Sequence, residues 1–260
     1  MTDLVDRIIH SLRDHHDQLT ALVAALGPDE LRAPSAASQW RICDVLSHLG
    51  SGAEITVKPL LAAAEGAPAA EADNEAIWAR WNAASPEEQA AWYVVHDAYL
   101  IETAEGLSAE QRATAMVDMG FLPQPVPLVV AAGMRLNEVA LHVWDIRAGL
   151  DAEATVDAEA TDILLELFAG PLSFLIGFVA KPDQMSAPAA IDIAGRGLSI
   201  EDTVALLDEA PMAPTATFAG PREAALRLLS GRLTPAFTPE GVTVTGNVTI
   251  DDLRAVFPGY

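Results

Sequence analysis

Glu138 and His142 stand four residues apart in NEVALHVWDIRAG (residues 137–149), a segment whose Val139, Leu141 and Val143 predict a helix with a buried apolar face. At i and i+4 the carboxylate and the imidazole project from one side, one turn apart, which lets two side chains share a metal ion. Two donors do not complete a site. His48, in DVLSHLG on another predicted helix and among Val45, Leu46 and Leu49, is the candidate third ligand. Two imidazoles and a carboxylate suit Zn²⁺, and three protein ligands leave a fourth position open for water or substrate, the pattern of a catalytic site. The same spacing also describes a solvated Glu–His pair, and a histidine in an apolar helix also describes a hydrogen-bonded core residue. The residues alone leave both readings open.

Neighbouring groups raise further alternatives. Asp44, at i−4 from His48, either orients that imidazole or faces water. Arg135 either steadies Glu138 or makes an exposed salt bridge, Asp145 reaches a ligand or the opposite helix, and Trp144 reads as core packing. His96, beside Asp97, is either a brace for the site or a buried structural residue, whereas His15 and His16 in RDHHDQ read as solvated. Cys43 reads as a packed thiol.

These residues need helices to hold them. Residues 3–26 carry Leu4, Ile8, Leu12, Leu19, Leu22 and Val23 near a period of 3.6 and predict an amphipathic helix ending at Gly27-Pro28. Ser38 is the expected cap of a second long helix through WRICDVLSHLG towards Leu61. EGAPAAEADN reads as a loop; AIWARWNAA and SPEEQAAWYVVHDAYLIETAEGL, with Ser85 as cap and Pro86 at the first helical position, give a third helical region. Residues 107–126, with Pro123 and Pro125, suggest a loop or a broken helix, and the pattern resumes from Leu128 to Ala148, closing at Gly149. The result is a bundle of about four helices.

After DAEATVDAEA the character changes. All six histidines lie at or before position 142, so nothing later can supply an imidazole. A helix over 158–179 precedes AAIDIAG, PTATFAG and GVTVTGNVTI, which read as strands interleaved with the short helices REAALRLLSGR and DDLRAVF. The fold class is therefore mainly α: a four-helix bundle over 1–152, then a smaller α+β domain over 153–260.

Composition narrows the function. A net charge of −22, from 37 acidic against 15 basic residues, repels nucleic-acid phosphates and anionic lipid surfaces. No apolar run approaches the roughly 20 residues that span a bilayer, and MTDLVDRIIHSLRDHHD is charged where a signal peptide is apolar, so a cytoplasmic protein, monomer or homodimer, is expected. One cysteine forms no internal disulfide, and thiol chemistry would need a second, borrowed thiol.

WRICDVLSHLG resembles the W-x-(V/I)-x-D-V-x-x-H-L segment, and RLNEVALHVWDIRAG the R-x-x-E-x-x-x-H-x-W-D segment, of the mycothiol-dependent maleylpyruvate isomerase family. GPREAALRLLSGR and VTVTGNVTIDDLRAVFPG are similar to that family's small C-terminal domain. The resemblance implies a DinB-like bundle with a sterol-carrier-like α+β domain, Zn²⁺ or another divalent metal held by His48, Glu138 and His142, and an open position that receives the thiol of mycothiol, the low-molecular-weight thiol of actinobacteria. It also implies that Arg232, in SGR, reaches the site to hold a substrate or cofactor carboxylate. Asn137 stands where many members have a histidine, a departure at a position expected to touch cofactor or substrate. A metal deprotonates a coordinating thiol, and that thiolate would either be transferred to a small electrophilic substrate or add to a conjugated alkene and leave after rotation. S-transfer and isomerisation share these residues. The alternatives are a non-catalytic carrier of an apolar ligand and a zinc-dependent hydrolase using zinc-bound water.

Overall fold

A computed structural model describes residues 2–68 and 73–259; positions 69–72 of the expected EGAPAAEADN loop, with Met1 and Tyr260, lie outside the described residues. The chain divides into two compact units, Met1–Ala154 and Thr155–Tyr260.

In the first unit α1 (Thr2–Ala25) buries Val5, Ile8, Leu12 and Leu19 along one stripe. Pro28 opens the single turn α2 (Pro28–Leu31). The second long helix, α3 (Ile42–Glu65), begins later than Ser38 predicts. Arg41 is its N-cap, the Asp44 carboxylate accepts the Arg41 backbone N–H at 2.9 Å, and Gly66 ends it in the left-handed conformation at φ 65°. The third helical region is two helices, α4 (Asn74–Ala83), capped by Asp73, and α5 (Pro86–Glu105), where Ser85 caps and Pro86 takes the first helical position as expected.

Residues 107–126 resolve into a short helix α6 (Ala109–Thr114) and a two-residue strand β1 (Met116–Val117), which pairs antiparallel with β2 (Val126–Pro127). Then α7 (Leu128–Leu150) carries the Glu138/His142 pair. Helices α1, α3, α5 and α7 form a ring of neighbours, α1 against α5 and α7, α3 against α5 and α7. Four long helices thus make the bundle that the periodicity predicts.

Gly149 does not close α7 but lies inside its last turn. A Cβ there would stand 2.6 Å from the Pro34 carbonyl oxygen and 2.8 Å from Ser35 Cα, so glycine serves the close approach of the 34–40 loop to the helix. Overpacking of this kind costs about 1–3 kcal/mol, against about 1 kcal/mol that alanine gains over glycine in a helix. Gly149→Ala should therefore lower stability in urea unfolding. An unchanged or higher midpoint would show that the loop yields freely.

In the second unit the expected helix over 158–179 is broken into α8 (Ala158–Ala169) and α9 (Ser173–Val179), bent by 84°. Pro171 lacks the N–H that a continuous helix needs. No single helix among the described residues is long and apolar enough to cross a membrane. The sheet has five strands where the sequence suggested three: β3 (Ala189–Ile193), β4 (Arg196–Ile200), β5 (Val204–Leu207), β6 (Ala216–Ala219), then α10 (Arg222–Leu229), β7 (Thr243–Gly246) and α11 (Ile250–Val256). Strand order is β5-β4-β3-β6-β7, with β3 and β6 parallel and the other pairs antiparallel. The β3–β4 turn is Ala194-Gly195 at φ 54° and 77°, both positive as a type I′ hairpin requires. Ile191, Leu198, Ile200, Leu206 and Phe218 line the buried face, and α8 and α9 pack against β5. This is the helical unit plus α+β unit of the expected fold class.

Candidate metal centre

One donor atom each from His48 on α3 and Glu138 and His142 on α7 lies within 4.8 Å of the others, although His48 is 90 residues from Glu138 in sequence. His48 Nε2 is 3.0 Å and His142 Nε2 3.7 Å from the same Glu138 oxygen, Oε2. Ligands about 2.0–2.2 Å from a tetrahedral zinc stand roughly 3.3–3.6 Å apart, and the two separations, one shorter and one longer than that, lie within a few tenths of an ångström of the edges of such a site. Donor chemistry fits as well, being two imidazoles and one carboxylate.

The exposures show which side is open. His142 is 12% exposed, while the side chains of His48 and Glu138 are 39% and 44% exposed, leaving room for a further ligand. Asp145, at 1% exposure, fixes His142 from behind: its Oδ2 accepts the Nδ1–H at 2.8 Å and so turns Nε2 to Glu138. That is the ligand-bracing alternative for Asp145. Asp44 has no such role towards His48, because its carboxylate accepts from the Arg41 backbone N–H, Nε and Nη2, bonds that hold it below its ordinary range.

The sequence reading missed Trp40. Its indole lies 5.1 Å from the His48 ring and 5.7 Å from the His142 ring between centroids, stacked on the latter at 23°. The signal was present, since tryptophan opens the WRICDVLSHLG segment, but its contact with α7 depends on the loop that Gly149 admits.

A second polar cluster lies deeper in the bundle. Asp97 on α5, 1% exposed, accepts from His16 Nδ1 at 2.9 Å, Tyr93 Oη at 3.2 Å and Arg135 Nη2 at 2.7 Å. Burial pushes the Asp97 carboxyl up, but the His16 hydrogen bond and the Arg135 charge outweigh it and hold the group below its ordinary range. Arg135 neither steadies Glu138 nor makes an exposed salt bridge; it is 8% exposed and also donates to the Leu49 carbonyl at 2.9 Å. The expectation for His15 and His16 is likewise corrected. Both are buried, at 2% and 5%, because positions 8, 12, 15, 16 and 19 share the inward stripe of α1.

Elsewhere, His96 approaches Glu54 at 3.7 Å and packs on Trp81, apart from the three donors. Cys43 is fully buried and burial raises its thiol pKa, as a packed, unreactive thiol requires. Trp144 is core, donating to the Ala154 carbonyl. Asn137 is half-buried on the turn beside Glu138. Arg232 belongs to the second unit, where its Nη1 donates to the Ser230 carbonyl at 3.3 Å.

The chain thus joins a four-helix bundle, which carries the three-donor cluster, to a smaller α+β unit. The sequence model of the mycothiol maleylpyruvate isomerase N-terminal domain matches residues 12–147, more than half of the chain, and the protein belongs to that family. It is also similar to uncharacterized proteins from two strains of Mycobacterium tuberculosis, 29% identical over 156 residues that cover 55% of this chain and 67% of theirs. Two crystal structures share the fold at 16% identity, with 94% of each chain covered. They are of the mycothiol-dependent maleylpyruvate isomerase, at a TM-score of 0.62, and of a histidine-to-alanine mutant of it, at 0.61.

Proposed function

We propose that this protein is a metal-dependent enzyme that activates mycothiol for transfer to, or thiol-assisted isomerisation of, a small electrophilic substrate. The observation that carries the reading is the convergence of His48, Glu138 and His142 within 4.8 Å of one another, with an open side and with Asp145 bracing one imidazole. Bound there, Zn²⁺ or another divalent cation would lower the pKa of a thiol so that thiolate is available at neutral pH. His48 and His142 would supply neutral donors and Glu138 a charged one, while Asp145 keeps His142 Nε2 directed inward. Arg232, from the resemblance of its SGR segment, is assigned to a carboxylate of cofactor or substrate, for which a guanidinium fork is suited. Asn137 is assigned to contact with either.

The thiol comes from outside the chain because Cys43, the one cysteine, is fully buried with a raised pKa. Two arms test this. Metal analysis of the purified protein should find about one divalent ion per chain. Turnover of a conjugated, electrophilic acid should require mycothiol and stay within about three-fold in Cys43→Ser, a change away from the donors. Full activity without thiol would favour zinc hydroxide and a hydrolase instead. Loss of activity in Cys43→Ser with metal still bound would place the nucleophile on the protein.

A further inference from the structure

We infer that Trp40 is a positioning residue of the metal centre, an aromatic wall that holds the His48 and His142 imidazoles in their donor geometry and favours the cation-loaded state. This inference rests on the metal reading above. Its first support is contact: one indole meets both imidazoles, at 5.1 and 5.7 Å, while those rings stand 4.8 Å apart edge to face. An imidazole that gives its lone pair to a cation becomes electron-poor, and the face of an indole is electron-rich. The stack therefore strengthens on loading, and the preference for the loaded state appears as metal affinity.

The second support is how the loop is built. Trp40 stays 37% exposed, so its ring is covered on one side only, by the loop and the two imidazoles. The loop is pinned to α7 at the residue that braces His142: Ala36 N donates to the Asp145 carbonyl at 2.8 Å. The Trp40 carbonyl accepts from both the Ser35 backbone N–H and Ser35 Oγ, each at 2.9 Å. Gln39, immediately before Trp40, takes φ 68°, a left-handed conformation rare for a side chain of its kind. Gly149 leaves the space in which the loop lies down on the helix. Strain and close approach converge on the placement of one half-exposed ring.

Co²⁺ is the probe, because it takes the same donors as zinc and quenches nearby tryptophan fluorescence. Calorimetric titration and fluorescence are to be read on wild type, Trp40→Phe and Trp40→Leu. Trp40→Leu should bind Co²⁺ about 3- to 10-fold more weakly, the size of an aromatic pair interaction, and show a smaller quench. Trp40→Phe should keep most of the affinity with a quench reduced to what the remaining tryptophans, Trp144 among them, contribute. A purely structural role would lower the unfolding temperature of the metal-free protein without changing affinity, and affinities equal within two-fold in all three proteins would overturn the inference. Absence of Co²⁺ binding in wild type would instead sink the metal reading itself, and this inference with it.

Discussion

His142→Ala should strip the protein of its metal and of its thiol-dependent turnover together. His142 is the donor with the most support: Asp145 accepts its Nδ1–H at 2.8 Å, Trp40 stacks on its face, and its Nε2 stands 3.7 Å from the oxygen that Glu138 shares with His48. Loss of an outer partner of a ligand costs about 10–100-fold in metal affinity or activity, and loss of the ligand itself should exceed that. Asp145→Asn is the graded control, expected within the 10–100-fold range because the amide can still meet the imidazole but no longer as an anion. Calorimetry with Zn²⁺ and turnover with mycothiol measure both. Should His142→Ala fold normally by circular dichroism and still bind Zn²⁺ within a few-fold of wild type, the three-donor site would be refuted.

The helical half was largely legible because each long helix announces itself by periodicity, while its terminators were legible only in part: Ser38 and Gly149 do not bound α3 and α7. Ser85-Pro86 and Gly66 work through contacts within a few residues, which sequence displays. Glu138 and His142 were legible for the same reason, as i and i+4 on one helix. What sequence does not display is which faces meet. Asp44 looked like a partner for His48 and instead completes a capping box with Arg41, and Arg135, one turn from Glu138, points to Asp97 on another helix. Trp40 was invisible as a site residue because a loop carries it, and its position follows from Gly149 and Pro34, 115 positions apart in the chain. His15 and His16 are different: the stripe of Ile8, Leu12 and Leu19 already placed them inward, and the flanking charges drew the reading away from the periodicity. Strands β4 and β5 were missed although they are as long as β3, β6 and β7; Gly197 interrupts the apolar run of β4, and the Glu201-Asp202 pair between the two strands reads as a polar loop.

Arg135→Met should be the most destabilising single substitution among those considered, by about 3–5 kcal/mol, the cost of leaving a buried charge without its partner. Arg135 is 8% exposed and Asp97 1%, so water does not screen the pair, and the guanidinium also satisfies the Leu49 carbonyl one residue past His48. Methionine keeps much of the volume, which separates loss of charge from loss of packing. The sign of the pH dependence follows from Asp97, whose folded pKa lies below its ordinary value: its stabilising contribution is present above the unfolded value of about 3.9 and is lost as pH falls through the lower folded value. Without Arg135 the carboxyl keeps its His16 and Tyr93 hydrogen bonds but loses the guanidinium charge that lowers it, so its folded pKa rises and the variant loses less stability on acidification than wild type does. The difference between the two proteins in urea unfolding should therefore be large at pH 7 and narrow towards pH 4. Asp97→Asn in the Arg135→Met background should recover part of the loss at pH 7, because the amide carries no charge to strand. A constant difference across that pH range, with no recovery in the double variant, would show that Arg135 contributes packing alone.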